Sequence, residues 1–153
     1  MKDTFHLQLR SKRENSQFSD SRLAAILNIT IAAYGDLERR ADEWRRALPV
    51  NKLRVLAALL DIDLRTEIGL EPSTEEHNNV ENTSTLIRSL REKRGMSLEE
   101  FSDAAGFYPE FGCIVESHPF GLELYPLAIC VDVAEALDVP WQGFVSAMLA
   151  RMG

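Results

Sequence analysis

Leu86-Ile87-Arg88-Ser89-Leu90-Arg91-Glu92-Lys93-Arg94-Gly95-Met96-Ser97-Leu98-Glu99-Glu100-Phe101 spells out a helix, its stop and the start of a second helix. Gly95 ends the first. Ser97-Leu98-Glu99-Glu100 is a capping box, in which Ser97 accepts from the Glu100 N–H and the Glu100 side chain returns to the N–H of Ser97. Reading on from it, the second helix runs through Phe101 and Ala104 to Gly106, and a third covers 108–116, with Pro109 tolerable only in its first turn. A fourth begins after Pro126 and closes near Asp138, and Pro140 opens a fifth over 141–152.

Toward the N-terminus the same text recurs. Leu9-Arg10-Ser11-Lys12-Arg13-Glu14 aligns on Ile87-Arg88-Ser89-Leu90-Arg91-Glu92 at an offset of 78, which also carries Ser19 onto Ser97, Leu23 onto Phe101 and Glu38 onto Glu116. One residue is then lost. At an offset of 77, Pro49 falls on Pro126, Ala57 on Ala134 and Leu60-Asp61-Ile62 on Leu137-Asp138-Val139. Order and spacing kept over this length imply two copies of one small helical domain. In copy one the helices fall over 5–13, 19–27 with Ser19 as N-cap, 30–38 with Thr30 as N-cap, from Pro49 through Leu60, and a short last one around Ile62, Leu64 and Ile68. Asn28 stands where Gly106 stands, at a position that takes a left-handed residue. A looser, arginine-rich stretch fills 39–48. The expected organisation is all-α: copy one over 5–70, a polar linker over 71–83 and copy two over 84–152.

Composition sets limits on function. With 153 residues, 45% hydrophobic and 27% charged, the chain is ordinary for a globular protein, lacks an apolar run of membrane-crossing length and has no signal-like N-terminus, so a cytoplasmic protein is expected. Cys113 and Cys130 lie in helical apolar patterns and read as reduced core residues, and Trp44 and Trp141 as packing anchors. His6, His77 and His118 are scattered, and no phosphate loop, metal-ligand spacing or nucleophile elbow occurs. Neither an enzyme nor a cofactor or metal is expected. Charge divides unevenly: residues 1–77 carry 12 Lys and Arg against 13 Asp and Glu, whereas residues 78–153 carry 5 against 11. A half of net −6 repels a polyanion.

The stretch 86–101, followed by Ala105-Gly106-Phe107, Glu116, Pro126 and Val133-Ala134-Glu135-Ala136-Leu137-Asp138-Val139, resembles the Xre/Cro-type helix-turn-helix domains of phage repressors. Copy one is similar to the same family through Arg10 to Glu14, Ser19, Leu23-Ala24, Asn28-Ile29, Leu37-Glu38 and Leu56-Ala57-Ala58-Leu59-Leu60-Asp61-Ile62. The resemblance implies two tandem five-helix, lambda-repressor-like domains. It also implies that the third helix of a copy lies in the DNA major groove, with flanking helix ends and cations on phosphates. In copy one that segment is Thr30-Ile31-Ala32-Ala33-Tyr34-Gly35, without Arg, Gln or Asn; Ala33 would meet thymine methyls, Thr30 and Tyr34 phosphates, and Arg22, Arg39 and Arg40 would clamp the backbone. Asp20 and Leu98 depart from the family's Gln or Thr at the start of the motif.

Two functions follow. In the first, copy one binds DNA through these residues, as a homodimer spanning two half-sites, and copy two mediates protein contact. In the second, the scaffold is an antagonist of a protein such as a basic regulator or toxin, serving as an antiactivator, antitoxin or immunity protein. Its contact surface is then Phe107, Tyr108, Glu110 and Phe111 in acidic copy two. Arg39, Arg40, Arg45 and Arg46 discriminate the two: either they form a continuous positive face, or Glu38, Asp42 and Glu43 neutralise them.

Overall fold

Ser19 and Ser97 do what their sequence context requires. The Ser19 hydroxyl accepts from the Arg22 N–H at 3.1 Å and that of Ser97 from the Glu100 N–H at 3.0 Å, each satisfying one of the orphan donors of a helix N-terminus. The return bond from the Glu100 carboxylate to Ser97 does not form among the described residues, so only half of the expected capping box is present. The computed structural model describes residues 4–70 and 82–151. It is all-helical, without strands among those residues. The chain divides into two compact units, Met1–Gly69 and Leu70–Gly153.

Unit one contains α1 (Phe5–Glu14), α2 (Asp20–Leu27), α3 (Ile31–Arg39), α4 (Glu43–Ala47), α5 (Val50–Leu59) and α6 (Leu64–Ile68). Unit two contains α7 (Thr83–Lys93), α8 (Leu98–Ala104), α9 (Phe111–Ser117), a 3-10 turn (Gly121–Leu124), α10 (Leu127–Ala136) and α11 (Trp141–Arg151). Several backbone features recur at matching positions in the two units. Asn28 and Gly106 take positive φ, at 55° and 81°, after α2 and α8; Asp61 and Asp138 do so at 53° and 54° after α5 and α10. Such a residue lets the chain reverse while its N–H returns to the last carbonyls of the helix. Pro49 and Pro126 precede α5 and α10, where a missing N–H costs nothing.

Three expectations about elements change. The stretch 39–48 is not wholly irregular: α4 forms there, and the 3-10 turn stands at the corresponding place in unit two. The third helix of unit two begins at Phe111 and not at residue 108, with Pro109 in the turn ahead of it. Finally, the expected linker reaches too far. Asn82 caps α7 through the Thr85 N–H at 3.0 Å, and Thr83 is already helical and fully buried, its hydroxyl donating to Glu123. Residues 71–81 of that linker lie outside the described residues.

Each unit has its own core. The core of unit one holds Phe5 and Leu9 of α1 together with Leu23, Leu37, Trp44 and Leu53, all at 2% exposure or less. Trp44 packs at a tilt of 37° on Phe5, centroids 4.6 Å apart, and its Nε1 donates to the Ala41 carbonyl at 3.0 Å, so the ring is buried without stranding its polar atom. In unit two, Ile87, Phe101, Phe111, Val115, Val133 and Phe144 fill the same role. Each such side chain contributes roughly 1.5–3 kcal/mol by leaving water. Residues 144–149 of α11 are buried consecutively, which marks a helix enclosed on all sides. Cys130 belongs to this interior, where burial pushes its thiol well above the ordinary value; Cys113, expected in the core, is instead exposed on α9.

A further bond ties first helix to third in each unit. Arg13 on α1 donates to both carboxylate oxygens of Glu38 on α3, at 2.5 and 3.1 Å, and Arg91 on α7 does so to Glu116 on α9, at 2.7 and 3.0 Å. These forked pairs are largely shielded from water and raise the pKa of each guanidinium, principally through the hydrogen bond itself.

Candidate functional site

The α2–α3 segment of unit one holds every residue expected to touch DNA. The α3 N-terminus is capped by Thr30, whose Oγ1 accepts from the Ala33 N–H at 3.0 Å; Thr30, Ile31, Ala32 and Ala33 are exposed. Ile31 is 55% exposed, an apolar side chain where a base reader would stand. Arg22 is exposed on α2. At the start of that helix, however, the Asp20 carboxylate accepts from the Ser21 N–H at 2.7 Å, placing a negative charge where a phosphate would approach. Tyr34 is not on this face. It is fully buried, because it lies on the side of α3 that meets α1, and burial followed by the nearby Glu38 carboxylate pushes its phenol far above the ordinary value. A phosphate contact through Tyr34 is therefore ruled out.

The arginines beyond are matched by acids. Arg39 Nη2 lies 3.1 Å from Asp36 Oδ1, Arg40 lies 4.0 Å from both Asp36 and Glu43, and Arg46 lies 3.3 Å from Asp42. Arg45 sits over the Trp44 ring at 5.9 Å. Glu38, expected among the neutralising acids, is instead committed to Arg13, and the acid that faces Arg39 and Arg40 is Asp36. Sequence reasoning missed Asp36, although its i+3 and i+4 spacing to the two arginines was a usable signal. These pairs are exposed and each is worth under about 1 kcal/mol, so they do not lock the arginines in place. They do offset the field: Asp36, Asp42 and Glu43 stand beside Arg39, Arg40 and Arg46.

The matching segment of unit two has no cation between Gly106 and Ser117. It carries an aromatic cluster instead. Phe107 stacks on Phe111 with centroids 4.2 Å apart and planes at 14°, and Tyr125 meets Phe111 edge-on at 5.4 Å. Tyr108 is 50% exposed, Phe107 half-buried and Glu110 exposed, so these three of the four expected contact residues reach the surface. Phe111 does not. It is fully buried because α9 starts at Phe111, three residues later than expected, which turns its ring into the core and leaves Tyr108 outside. Tyr125, which sequence reasoning did not single out, completes the cluster; its interaction with the Tyr108 hydroxyl, aided by burial, pushes its phenol up to about 12.

Among the described residues no group of His, Cys, Asp and Glu could hold a metal ion, and no helix is long and apolar enough to cross a membrane. No family model matches the chain, and no curated protein or solved structure is significantly similar to it.

Proposed function

We propose that the chain is a tandem pair of Xre/Cro-like helix-turn-helix domains that acts by binding a protein and not by reading DNA, in the manner of an antiactivator, antitoxin or immunity protein. One observation carries this reading: Asp36, Asp42 and Glu43 pair with Arg39, Arg40 and Arg46, so the outer face around α3 has no continuous positive field. DNA affinity comes mainly from cations displacing counterions along the phosphates, and a locally neutral face forgoes it. The exposed reading positions Ile31, Ala32 and Ala33 provide no hydrogen-bonding group for base edges. Unit two supports the reading further through its net −6 half and exposed Tyr108 and Glu110, which suit a basic protein surface.

Fluorescence anisotropy at low salt tests it, using duplexes of random sequence and the DNA upstream of the protein's own gene. The wild type is expected to leave both unbound even at ~100 µM, the weak end of nonspecific binding at physiological salt. The D36A/D42A/E43A variant is expected to gain salt-sensitive, sequence-independent binding. Wild-type binding that Arg22→Ala and Arg39→Ala abolish overturns the proposal in favour of a DNA-binding regulator.

A further inference from the structure

A groove in unit two runs between the turn after α8 and the outer face of α10. In unit two this groove is about 670 Å³ and is lined by Ala104, Phe107, Ile129, Asp132, Glu135 and Ala136. The last four lie on α10, at spacings that bring them to one face. At the repeat-equivalent positions unit one carries Ile26, Ile29, Lys52, Val55, Ala58 and Leu59, with no acid among them. Divergence has thus put two carboxylates into unit two at sites that are apolar in unit one.

No ion pair among the described residues of the unit neutralises them. Its ion pairs join Arg88, Arg91 and Arg94 to Glu92, Glu116 and Asp138, and none among the described residues reaches Asp132 or Glu135. Burial and then the Glu135 charge raise the Asp132 carboxyl above its ordinary value, as expected for two like charges on one helix face with no counter-charge. Phe107 is braced on one side by Phe111 and lines the groove. A fixed aromatic ring beside two carboxylates, between walls of Ala104, Ile129 and Ala136, has the chemistry of a guanidinium receptor. The ring attracts the cation through its π face, the carboxylates accept its N–H donors, and the apolar walls cover the aliphatic stem. Arginine fits better than lysine, because its planar head both stacks and forks.

We propose that this groove docks an arginine side chain on a basic segment of a protein partner, with Asp132 and Glu135 receiving the guanidinium and Phe107 lying against it. The proposal rests on the protein-binding reading and names the chemistry of the surface that the partner presents. Charge complementarity selects this occupant: the half of the chain containing the groove carries 11 acidic residues against 5 basic ones, which repels a polyanion and attracts a cationic chain.

Amide shifts of the ¹⁵N-labelled full chain, titrated with a blocked alanine peptide carrying one central arginine, test it. Shifts are expected to concentrate at residues 104–107 and 129–136, to weaken about tenfold in D132N/E135Q and a few-fold in Phe107→Leu, and to vanish when citrulline replaces the arginine. Circular dichroism and a cooperative unfolding curve confirm that each variant is folded. Shifts spread over Glu92, Glu99, Glu100 and Glu110, or unchanged in D132N/E135Q, overturn the proposal, as does spermidine acting equally well on the same amides. A silent groove in a chain that also ignores DNA removes the groove and leaves the protein-binding reading standing. Sequence-specific DNA binding through α3 with an intact groove response removes that reading and leaves the groove.

Discussion

Arg91 holds Glu116 by a fork, Nε to Oε2 at 2.7 Å and Nη2 to Oε1 at 3.0 Å, and the carboxylate side chain is only 4% exposed. Arg88 joins it, its Nε 3.3 Å from Oε1 and its Nη2 donating to the Glu116 backbone carbonyl at 3.2 Å. Unit one has a thinner version. Arg10, the equivalent of Arg88, turns away to Glu14, leaving Glu38 with Arg13 as its guanidinium partner.

Breaking a shielded pair leaves an uncompensated charge, which costs more than the pair is worth. Glu116→Gln is expected to destabilise unit two by about 3 kcal/mol, and Glu38→Gln to cost unit one less, because Arg13 is the more exposed guanidinium and can rehydrate. Urea unfolding of the two variants checks the ranking. Replacing both members, as in R91M/E116L, is expected to recover most of the loss.

Gly112 leaves no room for a methyl group. An added Cβ would lie 2.9 Å from the Leu98 carbonyl oxygen, 3.0 Å from Ser102 Oγ and 3.1 Å from Phe101 Cδ1. Two of these belong to a tight joint, in which the Ser102 hydroxyl donates to Leu98 O at 2.8 Å and accepts from the Gly112 N–H at 2.8 Å. Gly112→Ala is therefore expected to cost about 1–3 kcal/mol despite alanine's better helix propensity, read as a lower urea midpoint.

Trp44→Ala should be among the most damaging changes in unit one. The ring is fully buried against Phe5, and its removal is expected to cost about 3–5 kcal/mol, measurable by calorimetry. Trp44→Phe should cost less, losing chiefly the bond to the Ala41 carbonyl.

Asp132 gives a pH signature. Its pKa is raised in the fold, so its ionisation opposes folding: the penalty is fully present above the raised value and disappears as pH falls below the unfolded pKa of about 3.9. Asp132→Asn is expected to raise the Tm at pH 7 by an amount worth well under about 1 kcal/mol, since the side chain is largely in solvent, and to make no difference near pH 3. A larger gain at acid pH than at neutral pH contradicts the assignment.

Much of the scaffold was written in short-range signals. Ser19, Ser97 and Thr30 cap as their positions demand, and Asn28 and Gly106 turn left-handed, because each depends on a few neighbouring residues. The repeat also flagged Glu38 and Glu116, but it did not name Arg13 and Arg91 as their partners, since that pairing exists only once first and third helices pack. The stretch Glu43–Ala47 was passed over because five residues are too few to establish a helical period. The candidate site was less legible. Tyr34 and Phe111 went inside where surface roles were expected, for an aromatic near a helix start faces either way according to where the helix begins. Asp132 and Glu135 drew no notice because their meaning lies in having no ion-pair partner among the described residues, which linear sequence does not display.

Gly112 also bears on the interchangeability of the two halves. Its counterpart at the repeat offset is Tyr34, and Ser102 likewise falls on Ala24. The two units share N-caps at Ser19 and Ser97, left-handed reversals and the Arg–Glu fork, while the space between second and third helices is filled differently. A chimera carrying the α3 segment in place of α9 would thus bring a phenol to a spot that refuses a methyl. The halves are matched in wiring and incompatible in parts, and each third helix is fitted to the second helix beside it.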